Sequence, residues 1–328
     1  MRRCCFFCLL VLLLAPTLCF SSHKQEYKYF RIGNKSDVVT KPAPSFLLQG
    51  GSDLDDAFRW MCAKANGGDF LVLRATGKDA YNPYIQGLCK LNSVASLVIP
   101  SRNAAGEKFV VDTIRHAEAI FIAGGDQANY INFWMGTEVQ AAINDAIARG
   151  VPVGGNSAGL AVLGEFTFAA LNDTAYSKVV LADPFDKTVT IVRGFLNIPI
   201  LAGVITDTHF AKRDRLGRLT VFMARIVQDG QAPRVRAIAV DEGGAVALEP
   251  DGSATMFGAK PAYFIESQSA PLECRAGTPL TFGPLKVYKL QGGGRFNVKA
   301  WSGEGGAAYD LKVENGTVTS TQPGGSLY

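Results

Sequence analysis

From Ser45 to about residue 164 the sequence repeats one arrangement: a short, nearly unbroken apolar run, a turn, then a stretch with helical spacing. SFLLQGG (45–51) reads as a strand ending in glycines. DLDDAFRWMCAKANGG (53–68) reads as a helix capped by Ser52 or Asp53. DFLVLRATG and ASLVIPS supply two more strands. EKFVVDTIRHAE is helical, and AIFIAGGDQ is a strand that again ends in glycines. NFWMGTEVQAAINDAIARG (132–150) reads as one long helix, and VPVGGNSAG as a fifth strand feeding a turn and a helix. Apolar runs of this length, separated by helices, predict a mostly parallel sheet buried on both faces. In such sheets sites gather at the carboxyl ends of the strands, where GGDQ and GGNSAG both fall. Beyond residue 232 the pattern changes to short alternating runs between Gly and Pro turns, which predicts antiparallel strands. The expected fold class is α/β, with a single domain over 45–328 whose part from 232 onward is a β-rich extension, preceded by an N-terminal extension over 23–44.

The first 22 residues are of a different kind. Arg2 and Arg3 precede an apolar run that Pro16 interrupts, followed by small residues. That order is expected of a secretory signal peptide, and the run is short for a membrane anchor. The formal charge is +4; removing Arg2 and Arg3 leaves 4 − 2 = +2, which gives no argument for nucleic acid. Four of the seven cysteines leave with the same segment, and Cys62, Cys89 and Cys274 remain. An oxidising compartment permits one disulfide, for which Cys62–Cys89 is the expected pair. No Cys/His spacing reads as a zinc site, and the reading calls for no metal or organic cofactor.

Ser157 sits among small residues in GGNSAG, between a strand and a helix. A tight turn there lifts a serine oxygen clear of the backbone and aims the following N–H groups at an oxyanion. The hydroxyl needs a base. Of the three histidines, His23 lies at the processed terminus and His116 near a helix end, whereas His209 follows the apolar strand LAGVITD. A basic helix is expected to begin there. An acid must orient the imidazole; spacing leaves Glu165, Asp173, Asp183 and Asp186 open.

FIAGGDQ, GGNSAGLAV, LNDT and TDTHFAKRDRLGRL, in that order, resemble the serine peptidases typified by cyanophycinase and dipeptidase E. The resemblance runs from about residue 45 to about residue 260. It implies a fold like class I glutamine amidotransferases, flavodoxin-like in its sheet. It implies Ser157 as nucleophile, His209 as base, and Asp173, from LNDT, as the triad acid. It implies an oxyanion hole of the Gly125 and Ala158 N–H groups. It places Gln127, Thr208, Arg213, Arg215 and Arg218 at the substrate pocket, where guanidinium groups would fork onto carboxylates. The implied substrate is a β-aspartyl peptide, with the aspartate–arginine polymer cyanophycin as one instance, and homodimers are common among such proteins. Thr208 departs from the glutamine of cyanophycinase. Two rivals stand beside this reading: a secreted aspartyl dipeptidase of other specificity, and an inactive binding protein on the same scaffold.

Overall fold

The computed structural model describes residues 25–328, so the leader read over residues 1–22 and His23 lie outside it. The chain begins with β1 (Lys28–Gly33), β2 (Phe46–Gln49), α1 (Asp55–Lys64), β3 (Asp69–Arg74), α2 (Tyr81–Leu88) and β4 (Ser93–Val98). It continues with α3 (Arg102–Ala105), α4 (Lys108–Arg115), β5 (Ala119–Ile122), α5 (Gln127–Trp134), α6 (Glu138–Ala148), β6 (Val153–Asn156) and α7 (Ala158–Ala161). Then come β7 (Phe166–Phe168), α8 (Ser177–Ala182), β8 (Ile191–Arg193), β9 (Val204–Thr208), α9 (Leu216–Gln228) and β10 (Arg236–Val240). The remainder is β11 (Gly244–Leu248), β12 (Ser253–Gly258), β13 (Ala262–Ser267), β14 (Phe282–Leu290), β15 (Arg295–Asn297), β16 (Ser302–Glu304), β17 (Ala307–Glu314) and β18 (Thr317–Ser320).

Two mixed sheets result. One has the order β1-β4-β3-β5-β6-β2-β11-β12-β15-β16, the other β18-β17-β14-β13-β10-β9-β7-β8. The run β4-β3-β5-β6-β2 is parallel throughout. The expectation of a mostly parallel sheet is therefore corrected: only this centre and the β7-β9-β10 step of the second sheet are parallel. The late strands do not form a separate layer. They lengthen both sheets with antiparallel ladders, and β1, inside the stretch read as an extension, does the same along β4.

The unbroken apolar runs follow from burial on both faces, because successive strand residues point to opposite sides. Leu48, Leu71, Leu73, Ile120 and Ile122 enter a core shared with Val204, Ile238 and Phe264 of the second sheet and with Val110, Trp134 and Ile143 of the helices. Their neighbours Leu47, Phe70, Val72 and Phe121 face the other way, onto Phe58 and Met61 of α1 and Ile85 of α2. The far face of the second sheet packs Ile205, Ala237 and Ile265 against Leu219, Phe222 and Met223 of α9.

Two local expectations are corrected. The single helix over 132–150 is two, because Gly136 adopts φ 71 and ends α5 before Glu138 starts α6. Neither Ser52 nor Asp53 caps α1, which begins at Asp55. The Asp53 carboxylate instead accepts the Tyr81 hydroxyl at 2.8 Å and the Asn156 amide at 2.9 Å. Cys62 and Cys89 form a disulfide that ties α1 to the end of α2, and Cys274 is free and buried.

Candidate active site

The turn after β6 is set by glycine. A Cβ on Gly159 would lie 1.9 Å from the Ile122 carbonyl oxygen, and one on Gly155 would lie 2.3 Å from the Gly159 carbonyl carbon. Without side chains at these two positions the α7 backbone can sit directly on β5 and β6. Ser157, between them, is forced to φ 52 and ψ −116, a conformation a non-glycine residue adopts only when its surroundings impose it. Its N–H donates to the Gln49 carbonyl at 3.0 Å. The GGDQ turn closes over the same place: a Cβ on Gly124 would be 3.5 Å from the Ser157 Cβ. The Tyr130 hydroxyl fixes that turn by donating to the Ala123 carbonyl at 2.7 Å.

His209 follows the last residue of β9, at φ 45. The β2 end holds it. Its N–H donates to the Gly50 carbonyl at 2.7 Å, and its ring lies so close to Gly51 that a Cβ there would be 2.2 Å from Cε1. The ring bridges two groups: Nε2 stands 2.8 Å from Ser157 Oγ, and Nδ1 stands 2.9 Å from Glu242 Oε2. Burial lowers the His209 pKa, with the Arg213 and Arg215 charges acting in the same direction and Glu242 opposing them. Glu242 is held below its ordinary value, chiefly by the bond to His209. With Nδ1 donating to a carboxylate, Nε2 is left as the acceptor facing the serine hydroxyl.

Glu242 is the residue that the sequence reading missed. It comes two residues after β10, and β10 pairs parallel with β9 in the register Thr208↔Val240. Both side chains thus rise from the carboxyl ends of adjacent parallel strands. The signal was the DEGG turn (241–244) after an apolar run, hidden because everything past 232 was read as antiparallel.

The four acids expected from spacing are all engaged elsewhere. Asp173 is exposed, at φ 83, with its carboxylate on the Thr174 N–H. Glu165 accepts from Arg193 and the Gly203 N–H, Asp183 from the Phe185 and Gly277 N–H groups, and Asp186 from Thr188. The geometry corrects Asp173 to Glu242 as the carboxylate beside His209.

The arginine segment is corrected too. Residues 209–215 form a turn, and α9 starts only at Leu216. Arg218 is 3% exposed and grips both oxygens of the buried Asp207. Arg215 donates to the carbonyl and hydroxyl of Thr208, each at 2.9 Å, and pairs with Asp207 at 3.6 Å. Thr208 is itself buried. Arg218, Arg215 and Thr208 therefore satisfy one another and Asp207. Arg213 is exposed; its N–H donates to the His209 carbonyl at 2.9 Å, its guanidinium makes no hydrogen bond or ion pair among the described residues, and its charge reaches both His209 and Glu242. Gln127 is half-buried at the start of α5 and reaches the Phe168 carbonyl at 3.4 Å. Among the described residues, no group of three or more His, Cys, Asp or Glu side chains could hold a metal ion.

The family model of peptidase family S51 matches residues 79–252, more than half of the 328-residue chain. The cyanophycinase of Geminocystis herdmanii is 24% identical over 208 residues, 62% of this chain and 71% of that protein. The cyanophycinase of Nostoc sp. is 26% identical over 210 residues, 62% of this chain and 65% of that protein. Among solved structures, a peptidase from an acI-B1 actinobacterium superposes with a TM-score of 0.51 at 15% identity, covering 78% of this chain and 98% of that one, a likeness of fold. The serine–histidine–carboxylate relay at the strand ends and the matched family lead to the same place: the chain belongs to peptidase family S51 and is a peptidase resembling cyanophycinase and dipeptidase E.

Proposed function

We propose that the protein is a serine peptidase that hydrolyses β-aspartyl peptides through an acyl-enzyme on Ser157. The observation that carries this reading is the unbroken relay from Ser157 Oγ through His209 to Glu242, at 2.8 Å and 2.9 Å. As Oγ attacks the peptide carbonyl, His209 Nε2 takes its proton. Glu242 holds the Nδ1–H and stabilises the imidazolium. The N–H groups of Gly125 and Ala158 receive the developing oxyanion. The imidazolium then protonates the leaving amine, which departs with the collapse of the tetrahedral intermediate. Water, deprotonated by His209, attacks the acyl-enzyme and frees Ser157.

Arg213 is the side chain that can fork onto the free carboxylate of a β-linked aspartate, while Arg215 and Arg218 shape the turn that carries it. The relatives named cyanophycinase support the aspartate–arginine polymer cyanophycin as a substrate. The Cys62–Cys89 disulfide supports an address outside the reducing cytosol, in line with a cleaved leader.

The test is hydrolysis of cyanophycin and of a β-Asp-Arg dipeptide by the purified protein and its Ser157→Ala variant. Cleavage by the parent alone, together with fluorophosphonate labelling of Ser157, is the expected result. Labelling without cleavage of either substrate would discard the β-aspartyl assignment. Equal cleavage by the Ser157→Ala variant would discard the nucleophile.

A further inference from the structure

The turn that separates His209 from α9 contains two residues in the left-handed region, His209 at φ 45 and Asp214 at φ 47. Neither glycine nor proline stabilises it, and Arg215, at the helix N-cap, gives α9 no side-chain cap. Unpartnered N–H groups at a helix start need an acceptor. Two distant side chains supply it. Ser177 Oγ accepts the Arg218 N–H at 3.1 Å and donates to the Asp214 carbonyl. The hydroxyl of Tyr328 accepts the Leu216 N–H at 2.9 Å and donates to Asp214 Oδ1 at 2.9 Å. Its ring meets Phe210 edge-on, with centroids 5.6 Å apart, and Tyr263 at 6.2 Å.

Tyr328 is itself held from behind. Ser326 Oγ donates to its carbonyl at 2.8 Å, the Tyr309 hydroxyl to the Leu327 carbonyl at 3.3 Å, and Gln322 to the Ser326 carbonyl at 2.9 Å. The two ends of the basic turn are thus unequal. His209 is fixed by Gly50, Ser157 and Glu242, and Arg215 by Thr208. Between them the backbone closes through the Arg213 N–H to the His209 carbonyl at 2.9 Å and the Asp214 N–H to the Ala211 carbonyl at 3.1 Å, and Asp241 accepts the Lys212 N–H at 3.0 Å; the side-chain hydrogen bonds that reach Asp214, next to Arg213, come from Ser177 and Tyr328. Tyr328 lies well outside residues 79–252, the part of the chain that matches the family model.

We propose that Tyr328 is a positioning residue for substrate binding: its hydroxyl holds the 209–216 turn so that Arg213 is presented to the substrate's carboxylate. The inference rests on the proposed role of Arg213. Tyr328→Phe keeps the ring against Phe210 and Tyr263 and removes only the two hydrogen bonds. With a β-Asp-Arg dipeptide, KM should rise about fivefold, the size expected from loss of a hydrogen bond, while the rate of Ser157 labelling by a fluorophosphonate changes less than about twofold. Trypsin should also cut after Lys212 or Arg213 faster in the variant. In an Arg213→Ala background, the same Tyr328→Phe change should leave KM where Arg213→Ala alone sets it.

Unaltered trypsin cleavage would overturn the proposal, because the turn would not depend on the hydroxyl. An unchanged KM in Tyr328→Phe, in protein where Arg213→Ala does raise KM, would overturn it as well, reducing Tyr328 to a packing residue. An Arg213→Ala variant with unaltered KM would strike at the substrate reading itself, and so separates that failure from the failure of the Tyr328 link.

Discussion

At the Ser157 elbow the backbone is fixed by close approach: Gly155 and Gly159 leave no room for a Cβ, and the surrounding residues are buried. At the His209–Glu242 half the ring also lies close against Gly51, but directional bonds to Ser157 and Glu242 set how it points, and Glu242 remains 38% exposed. The first arrangement can hardly be adjusted without breaking. The second can be tuned one group at a time, because each bond adds a modest increment. Under the proposed mechanism, such a peptidase would keep Ser157 rigid and leave specificity and proton affinity to the adjustable side.

Four perturbations would break or sharpen that contrast. The largest effect belongs to Gly159→Ala, whose Cβ would collide with the Ile122 carbonyl, a backbone atom that cannot swing aside. Loss of soluble, labelled protein is the expected outcome, read by circular dichroism and fluorophosphonate labelling. Gly51→Ala comes next. Its Cβ would displace the His209 ring rather than a strand, so the fold should persist. A shift of this kind is expected to lower kcat about 100-fold, measured beside an unaltered far-ultraviolet spectrum.

Reducing the Cys62–Cys89 disulfide, which spans a sequence separation of 27, should cost about 3.5 kcal/mol of stability on a chain-entropy basis. The relay lies elsewhere, so kcat at low temperature should hold; denaturant titration with and without reductant measures both. The smallest effect is in pH. In the proposed mechanism catalysis needs neutral His209, so its lowered pKa should place the acid limb of kcat/KM below the ordinary histidine value. Arg213→Ala removes a nearby like charge, so the His209 pKa should rise and the limb move to higher pH. A pH–rate profile of the two proteins checks the sign.

What the sequence revealed divides along the same line. The elbow is written in local residue types, though small residues around a serine also arise often by chance, and it is the His209 segment and the other motifs in order that single it out. The parallel strand centre is legible because burial on both faces leaves continuous apolar runs such as FLVL (70–73) and AIFI (119–122). Glu242 was not legible in this way. It meets His209 only because β10 pairs parallel with β9, a tertiary fact, and its own neighbourhood reads as the start of a hairpin. The late strands misled for the same reason: alternation predicts a strand but not which sheet it joins. Arg218 shows a third kind of failure. A sequence of basic residues looks like a binding surface until its partner, here the buried Asp207, is known.

In the proposed mechanism Glu242, and not Asp173, serves as the acid behind His209, so kcat/KM of Glu242→Gln and of Asp173→Asn on the same peptide separates the two carboxylates. Glu242→Gln removes the carboxylate 2.9 Å from His209 Nδ1, and under the proposed mechanism it should lower kcat/KM by about 1,000-fold or more. Asp173→Asn, at an exposed residue whose carboxylate contacts Thr174, should stay within about twofold of the parent. A large loss in Asp173→Asn with near-parent activity in Glu242→Gln would remove Glu242 from the relay and return the acid's role to Asp173.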